Sequence, residues 1–320
     1  MNNPRPIPDS DKIEIKEAFR ERYSSLTDWD EFIKYSLSFL RRSIRVNTLK
    51  ISVPELKKRL EKNWNLEQIP WCAEGFWVEH KGEEKRRDIG NTLEHQLGYI
   101  YVQEAASMIP PIVLEPKPGE IILDMCASPG SKAGQIAQYM ENKGVIIAND
   151  YKGIRLAPLG INMQRISALN SIITLMDGSR FSRAGISFDR VLLDVPCSGT
   201  GTIRKSLKTL RIWNPNMLKK IASEQKRLLE AGFSALKKNG ILVYSTCSLE
   251  PEEDEGVIDY FLKKHEDAFL EEFSVDGLKK GKIIESFDGT EYSEEVRKCL
   301  RLWPQDNDTE GFFIARIRKI

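Results

Sequence analysis

Two patterns of apolar and polar positions divide this chain. Over the first hundred residues the pattern is short and mixed: helical spacing near 11–22 and 28–40, a β-rich SIRVNTLKI at 43–51, and a Val53-Pro54 start to an amphipathic helix reaching about Lys62. From about residue 120 it becomes strand then helix, repeated. The strand-like runs are IILD (121–124), VIIAND (145–150), IITLMD (172–177), DRVLLD (189–194), ILVYS (241–245) and GFFIARI (311–317). Helical spacing follows Gly130 and recurs at about 153–168, 216–238 and 255–264. Apolar runs alternating with helices predict buried parallel strands, and so a doubly wound, mostly parallel α/β sheet of Rossmann-like architecture. The chain then divides into a smaller mixed α/β unit at 1–100 and a sheet domain at 101–320, with the charged GEEKRRD segment (82–88) as the softest joint before the sheet.

Composition narrows the class. Of 320 residues, 41% are hydrophobic and 30% charged, which is a globular balance with apolar surface enough for two cores. No apolar run nears the roughly eighteen residues of a membrane helix. The opening Met-Asn-Asn-Pro-Arg-Pro carries no apolar export signal, so a cytoplasmic protein without membrane contact is expected. Five cysteines at 72, 126, 197, 247 and 299, without a CxxC pair, and three histidines suggest neither a disulfide framework nor a metal site. Any cysteine with a chemical task then acts as a thiol. The net charge of +1 conceals an uneven spread: residues 1–103 carry +1, residues 104–250 carry +7 and residues 251–320 carry −7. Between Gly199 and Lys238 stand ten cations (Arg204, Lys205, Lys208, Arg211, Lys219, Lys220, Lys226, Arg227, Lys237, Lys238) against Glu224 and Glu230. Such a segment is either a dock for a polyanion or the solvated face of a helix.

In a doubly wound sheet ligands sit at the carboxyl ends of the strands, and four predicted strands end in aspartate: Asp124, Asp150, Asp177 and Asp194. After the first comes Asp124-Met-Cys-Ala-Ser-Pro-Gly130-Ser-Lys132-Ala-Gly134, a turn feeding a helix, where Gly130 lets a ligand approach the backbone. It matches neither GxGxxG nor GxxxxGK[ST]. An acidic strand end without a pyrophosphate cradle suits a cofactor with an amino-acid part and a ribose. Asp150 is placed to accept from ribose hydroxyls, and Asp177 either accepts from an adenine amine or caps a helix.

Two thiols, in Asp194-Val-Pro-Cys197-Ser-Gly-Thr-Gly and Tyr-Ser-Thr-Cys247-Ser-Leu-Glu-Pro, follow neighbouring predicted strands amid small polar residues, not apolar ones. Carbon 5 of cytosine is a poor nucleophile. Alkylating it calls for a thiolate to add first at carbon 6, an acidic group near the ring nitrogen and amine, and a second group to remove the carbon 5 proton. The residues supply all three without ranking Cys247 above Cys197.

The motifs SIRVNTLK (43–50), VQEAAS (102–107), DMCASPGSKA (124–133), ND with RLAPLGINMQR (149–165), DVPCSGTG (194–201), STCSLEPEEDE (245–255) and RLWPQDNDTEGFFIA (301–315) together resemble the Sun (Fmu-like) family of RNA cytosine-5 methyltransferases. Members often have Ala-Pro-Gly-Gly-Lys-Thr where this chain has Ser128-Pro-Gly-Ser131-Lys-Ala133. The resemblance implies a class I methyltransferase domain that uses S-adenosylmethionine behind an N-terminal RNA-binding unit that includes Arg45 and Asn47. It implies that Cys126, Ala127, Ser128, Pro129, Gly130, Ser131 and Lys132 wrap the methionine part, with Asp150 on the ribose, Arg155 in support and Asp177 near the adenine. It makes Cys247 the nucleophile, Cys197 the thiol assisting product release, and Asp194 the group facing cofactor and base. The RNA substrate expected is tRNA, with ribosomal RNA second. A DNA enzyme would need a recognition insertion that the chain lacks, and a non-catalytic RNA-binding assembly factor would have no use for both thiols and all four aspartates.

Overall fold

The computed structural model describes residues 4–320; residues 1–3, part of the segment read for an export signal, lie outside it. An antiparallel sheet builds the N-terminal unit from β1 (Ser43–Val46), β2 (Trp64–Gln68), β3 (Gly75–His80) and β4 (Ile100–Val102), in the order β2-β3-β1-β4. β1 is buried along its whole length, because the helix Val53–Leu60 presses Leu56 and Leu60 against Ile44 and Val46. Ser52 caps that helix by accepting from Glu55 N, with Pro54 in its first turn, as the sequence pattern predicts.

Seven strands form the path of the second sheet: β5 (Ile121–Asp124), β6 (Val145–Asp150), β7 (Ser171–Leu175), β8 (Phe188–Asp194), β9 (Leu236–Thr246), β10 (Ala268–Glu271) and the closing strand. A small hairpin of β11 (Ser286–Phe287) and β12 (Thr290–Glu291) and an off-path strand β13 (Leu300–Leu302) precede that closing strand, β14 (Phe312–Lys319). The order is β10-β14-β9-β8-β5-β6-β7; β5 through β9 run parallel, and β14 runs against both of its neighbours, β9 and β10. This is the doubly wound, mostly parallel class I methyltransferase fold. The strand order reverses between β5 and β8, which opens a crevice beyond their carboxyl ends.

Several expectations need correcting. The GEEKRRD segment is not the joint between units, because β4 follows it and pairs with β1 inside the N-terminal sheet. β7 is an edge strand with Ile172, Ile173 and Leu175 exposed, so its apolar run does not mean burial. The second helix ends at Ser36, short of residue 40. The N-terminal helices do not join the N-terminal sheet at all: Phe19, Tyr23 and Phe32 stack with one another and against Trp213 and Trp303. Glu250, three residues past Cys247, accepts from Tyr23 OH (2.9 Å), Trp213 Nε1 (2.8 Å) and Arg22 Nε (2.7 Å), clamping these helices onto the Cys247 loop.

Arg45 and Asn47 also turn out to be internal. Arg45 is 1% exposed; its guanidinium donates to Gln103 Oε1 (2.9 Å), Gln138 Oε1 and Ser131 O (3.3 Å). Asn47 Nδ2 donates to Gly98 O and Ile166 O, each at 2.8 Å. The RVNT motif thus fastens the N-terminal sheet to the helix Ser131–Tyr139 and, through Ile166, to the end of the helix Gly153–Arg165.

Candidate active site

The loop from Asp124 to Lys132 leaves the crevice end of β5. Gly130 adopts φ +102° ahead of the helix Ser131–Tyr139, and a Cβ there would sit 3.1 Å from Leu159 Cδ1, so glycine meets both demands. Ser128 and Arg155 bond reciprocally: Ser128 Oγ donates to Arg155 O (2.8 Å) and Arg155 Nη2 to Ser128 O (2.7 Å). Tyr101 OH (3.2 Å) and Asn162 Nδ2 (2.9 Å) both donate to Pro129 O. Asn149, to which the sequence reading gave no task, donates to Met125 O (3.1 Å) and Met176 O (2.9 Å) and so holds three strand ends in register.

The crevice is rich in acceptors to which no described residue donates. Asp124 is 1% exposed, yet neither of its carboxylate oxygens has a hydrogen-bond donor among the described residues. Burial first, then the charge of Asp194, pushes its pKa up to about 7, against the pull of Lys132. Asp150 Oδ1 accepts from Lys152 N (3.1 Å); its Oδ2 lies 3.3 Å from Arg155 Nε but accepts no hydrogen bond. Three buried carboxylate oxygens therefore await a ligand that brings its own N–H or O–H donors and positive charge. Asp177 lies two residues beyond β7. Its Oδ1 accepts from Ser179 N (3.0 Å) and Ser179 Oγ (2.8 Å), capping the turn Gly178–Arg183, and its Oδ2 lies 3.3 Å from Arg227 Nη1.

The second half of the crevice belongs to β8 and β9, where Asp194 aligns with Ser245. Lys132 Nζ donates to Asp194 Oδ2 (2.7 Å) and Ser245 Oγ donates to Oδ1 (2.8 Å). Burial opposes the Lys132 ammonium, but the charge and hydrogen bond of Asp194 outweigh it, and its pKa ends raised. Just beyond, the sulfurs of Cys197 and Cys247 stand 3.1 Å apart. The hydrogen bond to Cys247, then burial, then nearby negative charge raise the Cys197 pKa well above that of a free thiol.

The two cysteine loops are pinned by residues whose motif is visible in the sequence but whose work is not. Glu253 accepts from Ser198 N (2.9 Å), Gln225 Nε2 (2.8 Å) and Ser248 Oγ (2.9 Å), bridging both loops. Arg301, fully buried, donates to Asp254 Oδ2 (2.9 Å), to both oxygens of Glu255 and to Leu249 O (3.1 Å). Thr246 Oγ1 in turn donates to Asp254 Oδ1 (2.6 Å), so this charge cluster lies directly beneath Cys247. Cys126 is raised by burial and by Asp124, while Cys72 and Cys299 are packed in cores.

The basic stretch 199–238 does not act as one surface. Arg204 is buried, donating to Ser38 O and Oγ, Phe39 O, Thr309 O and Asp308 Oδ1. Lys237 and Lys238 lie at the start of β9, at the opposite end of the sheet, where Lys237 pairs with Asp189 (2.7 Å). Lys205, Lys208 and Arg211 remain exposed near the thiols.

Residues 111–318 match the model of the 16S rRNA methyltransferase RsmB/F family, and residues 15–105 match the N-terminal domain of 16S rRNA methyltransferase RsmF. The chain belongs to the RsmB/F methyltransferase family. That family methylates RNA at carbon 5 of cytosine with S-adenosylmethionine as donor. A tRNA (cytosine(49)-C(5))-methyltransferase of Pyrococcus abyssi is 48% identical over 96% of this chain and 99% of its own length. Ribosomal RNA small subunit methyltransferase F of Vibrio vulnificus is 41% identical over 96% of this chain, which spans only 65% of that longer protein. Among solved structures, a methyltransferase homolog from Pyrococcus horikoshii superposes with TM-score 0.85 at 38% identity, covering 98% of this chain and all of the other. NSun6 from the same organism, with SFG, an analogue of S-adenosylmethionine, superposes with TM-score 0.82 at 25% identity, over 95% of this chain and 98% of the other. The unpartnered acceptors suit that cofactor, whose ammonium and ribose hydroxyls supply hydrogen-bond donors. No helix among the described residues is long and apolar enough to cross a membrane.

Proposed function

We propose that this chain methylates carbon 5 of cytosine in tRNA through a transient bond between Cys247 Sγ and carbon 6 of the base. The observation that carries the reading is the pair of sulfurs 3.1 Å apart at the ends of two adjacent strands, next to Asp194 on its Lys132 ammonium. S-adenosylmethionine supplies an electrophilic methyl group. Cys247, as thiolate, adds to carbon 6 and makes carbon 5 electron-rich enough to accept that methyl. Asp194 accepts from the exocyclic amine, while the Lys132 ammonium offsets the negative charge developing on the ring. Cys197 then takes the carbon 5 proton as it passes its own S–H proton to Cys247; the carbon–sulfur bond breaks and the ring double bond returns.

In the same reading Cys126 through Lys132 wrap the methionine part, Asp150 takes the ribose, and Arg155 holds Asp150 and the loop together. Asp177 would reach an adenine amine only by releasing Arg227. The base must be looped or extruded to enter the crevice. The higher identity to the tRNA enzyme, 48% against 41%, favours tRNA over ribosomal RNA. A reaction that needs reduced thiols fits the cytoplasm.

The test is transfer of labelled methyl to bulk RNA by the wild type, Cys247→Ala and Cys197→Ala. Cys247→Ala is expected to be inactive, and Cys197→Ala to accumulate a protein–RNA adduct that survives a denaturing gel. The opposite pattern would exchange the two roles, and the absence of an adduct from every variant would remove the covalent route.

A further inference from the structure

Away from the crevice, the N-terminal unit and the segment before β14 enclose a cleft of about 750 Å³. Its size falls in the roughly 300–1,000 Å³ range of ligand sites, but its walls are guanidinium groups and aromatic rings. Arg86 lies over the Phe39 ring at 4.3 Å, Arg5 approaches the same ring at 5.6 Å, and Arg41 covers Trp77 at 4.0 Å.

The charges here are incompletely neutralised. Of the acids lining the cleft, Glu67 is taken by Arg41, Asp308 by the buried Arg204, and Asp306 by Lys279 (3.2 Å) and Trp303 N (3.0 Å), leaving Glu79 without a cation among the described residues. Arg5, Lys85 and Arg86 have no carboxylate partner among the described residues, and Arg42 has only a 3.4 Å approach to the exposed Asp88. Burial, then the repulsion of Arg42, Arg5 and Arg204, lowers the Arg86 pKa. Like charges held this close call for an anion between them.

A buried run of backbone contacts ties the rim of the cleft to the Cys247 loop. Its rim, residues 306–308, leads directly into Thr309, Glu310 and Gly311. Gly311 N donates to Gly201 O (2.9 Å), and Gly201 N donates to Cys247 O (2.9 Å). Arg204 fixes the other wall to this path by bonding Ser38 and Phe39 as well as Asp308 and Thr309.

We propose that this cleft binds a single-stranded segment of the substrate RNA flanking the target cytosine, with phosphates on Arg5, Arg42 and Arg86 and bases stacked on the guanidinium planes of Arg86 and Arg41 where these lie over Phe39 and Trp77. Single strands are held by this combination of backbone-tracking cations and stacking planes. The inference rests on the RNA-modifying reading above and adds where the strand runs. None of these residues touches the thiols or the cofactor crevice.

The test uses the full chain, an unmodified tRNA transcript and the double variant Arg5→Glu/Arg42→Glu, with Phe39→Ala as a charge-neutral companion. Arg5→Glu/Arg42→Glu should raise KM for the transcript at least tenfold, leave kcat and S-adenosylmethionine affinity unchanged, and lower the slope of log affinity against log salt by about 1.4, at roughly 0.7 for each of two lost single-strand phosphate contacts. Phe39→Ala should weaken binding without changing the salt slope. Filter binding reads the same affinities without catalysis, so a wild type that binds but does not methylate would overturn the functional reading while the cleft is still tested. Unchanged RNA affinity and salt slope in the double variant, with wild-type thermal stability, would overturn the cleft, as would equal competition by duplex DNA of the same length.

Discussion

Asp124 is best tested by Asp124→Asn, which keeps the shape of the side chain and removes its charge. Both carboxylate oxygens are buried without a donor, and the pKa is pushed up to about 7 by burial and then by Asp194. In the unfolded chain the same group titrates near 3.9. The folded pKa is therefore the higher one, so the stability this group allows is fully present below about pH 4 and is lost progressively as pH rises through about 7. At 1.36 kcal/mol per unit, a rise of about three units makes the penalty of the ionised form roughly 4 kcal/mol above pH 7, an upper figure for ligand-free protein. Asp124→Asn should then be more resistant to urea than the wild type at pH 8, by up to a few kcal/mol, with the advantage shrinking by about 1.4 kcal/mol per unit towards pH 5. Ligand binding should move the other way. Losing a charge-assisted bond worth about 1.5–3 kcal/mol would weaken S-adenosylmethionine roughly ten- to a hundredfold. Urea unfolding by tryptophan fluorescence at pH 5, 6.5 and 8, with calorimetric titration of the cofactor, reads both effects. A variant that is less stable than wild type at pH 8 and binds cofactor equally well would refute the view of Asp124 as an acceptor kept free for a ligand.

Two further outcomes follow from the surroundings of the thiols. Arg301→Met leaves Asp254 and Glu255 buried without their cation, which should destabilise by about 3–5 kcal/mol and lower the melting temperature by roughly 10 °C; an unchanged melting temperature by scanning calorimetry would show the network to be dispensable. Lys205→Glu/Lys208→Glu reverses two exposed cations near Cys247 and should reduce tRNA affinity and flatten its salt dependence, whereas Lys237→Glu/Lys238→Glu, at the far end of β9, should do neither in filter binding.

What the sequence discloses and what it hides follow one physical line. Local rules were enough for the sheet: IILD and VIIAND coincide with β5 and β6 to the residue, since a buried strand between helices has both a length and a composition of its own. Those rules could not place β2, β3 and β4, which pair antiparallel outside the strand-then-helix rhythm, and they misread β7, whose isoleucines resemble a core strand but lie on an open edge. The site divides the same way. Cys197, Cys247, Asp194 and the Gly130 turn are legible because strand ends in this topology converge. What charged residues do once folded is not local: Arg45 and Arg204 look like RNA contacts in the sequence, yet both are buried struts. A guanidinium is chosen for such a strut because its several donors can satisfy several carbonyls at once, Arg204 holding four residues on two separate segments. Arg5, Arg42 and Arg86, by contrast, belong to no motif; they line the cleft beside residues 38–39 and 306–308, segments that Arg204 holds together. The gathering of the two thiols and Asp194 is written in the strand ends, whereas the cations that line the cleft are gathered only by the folded chain.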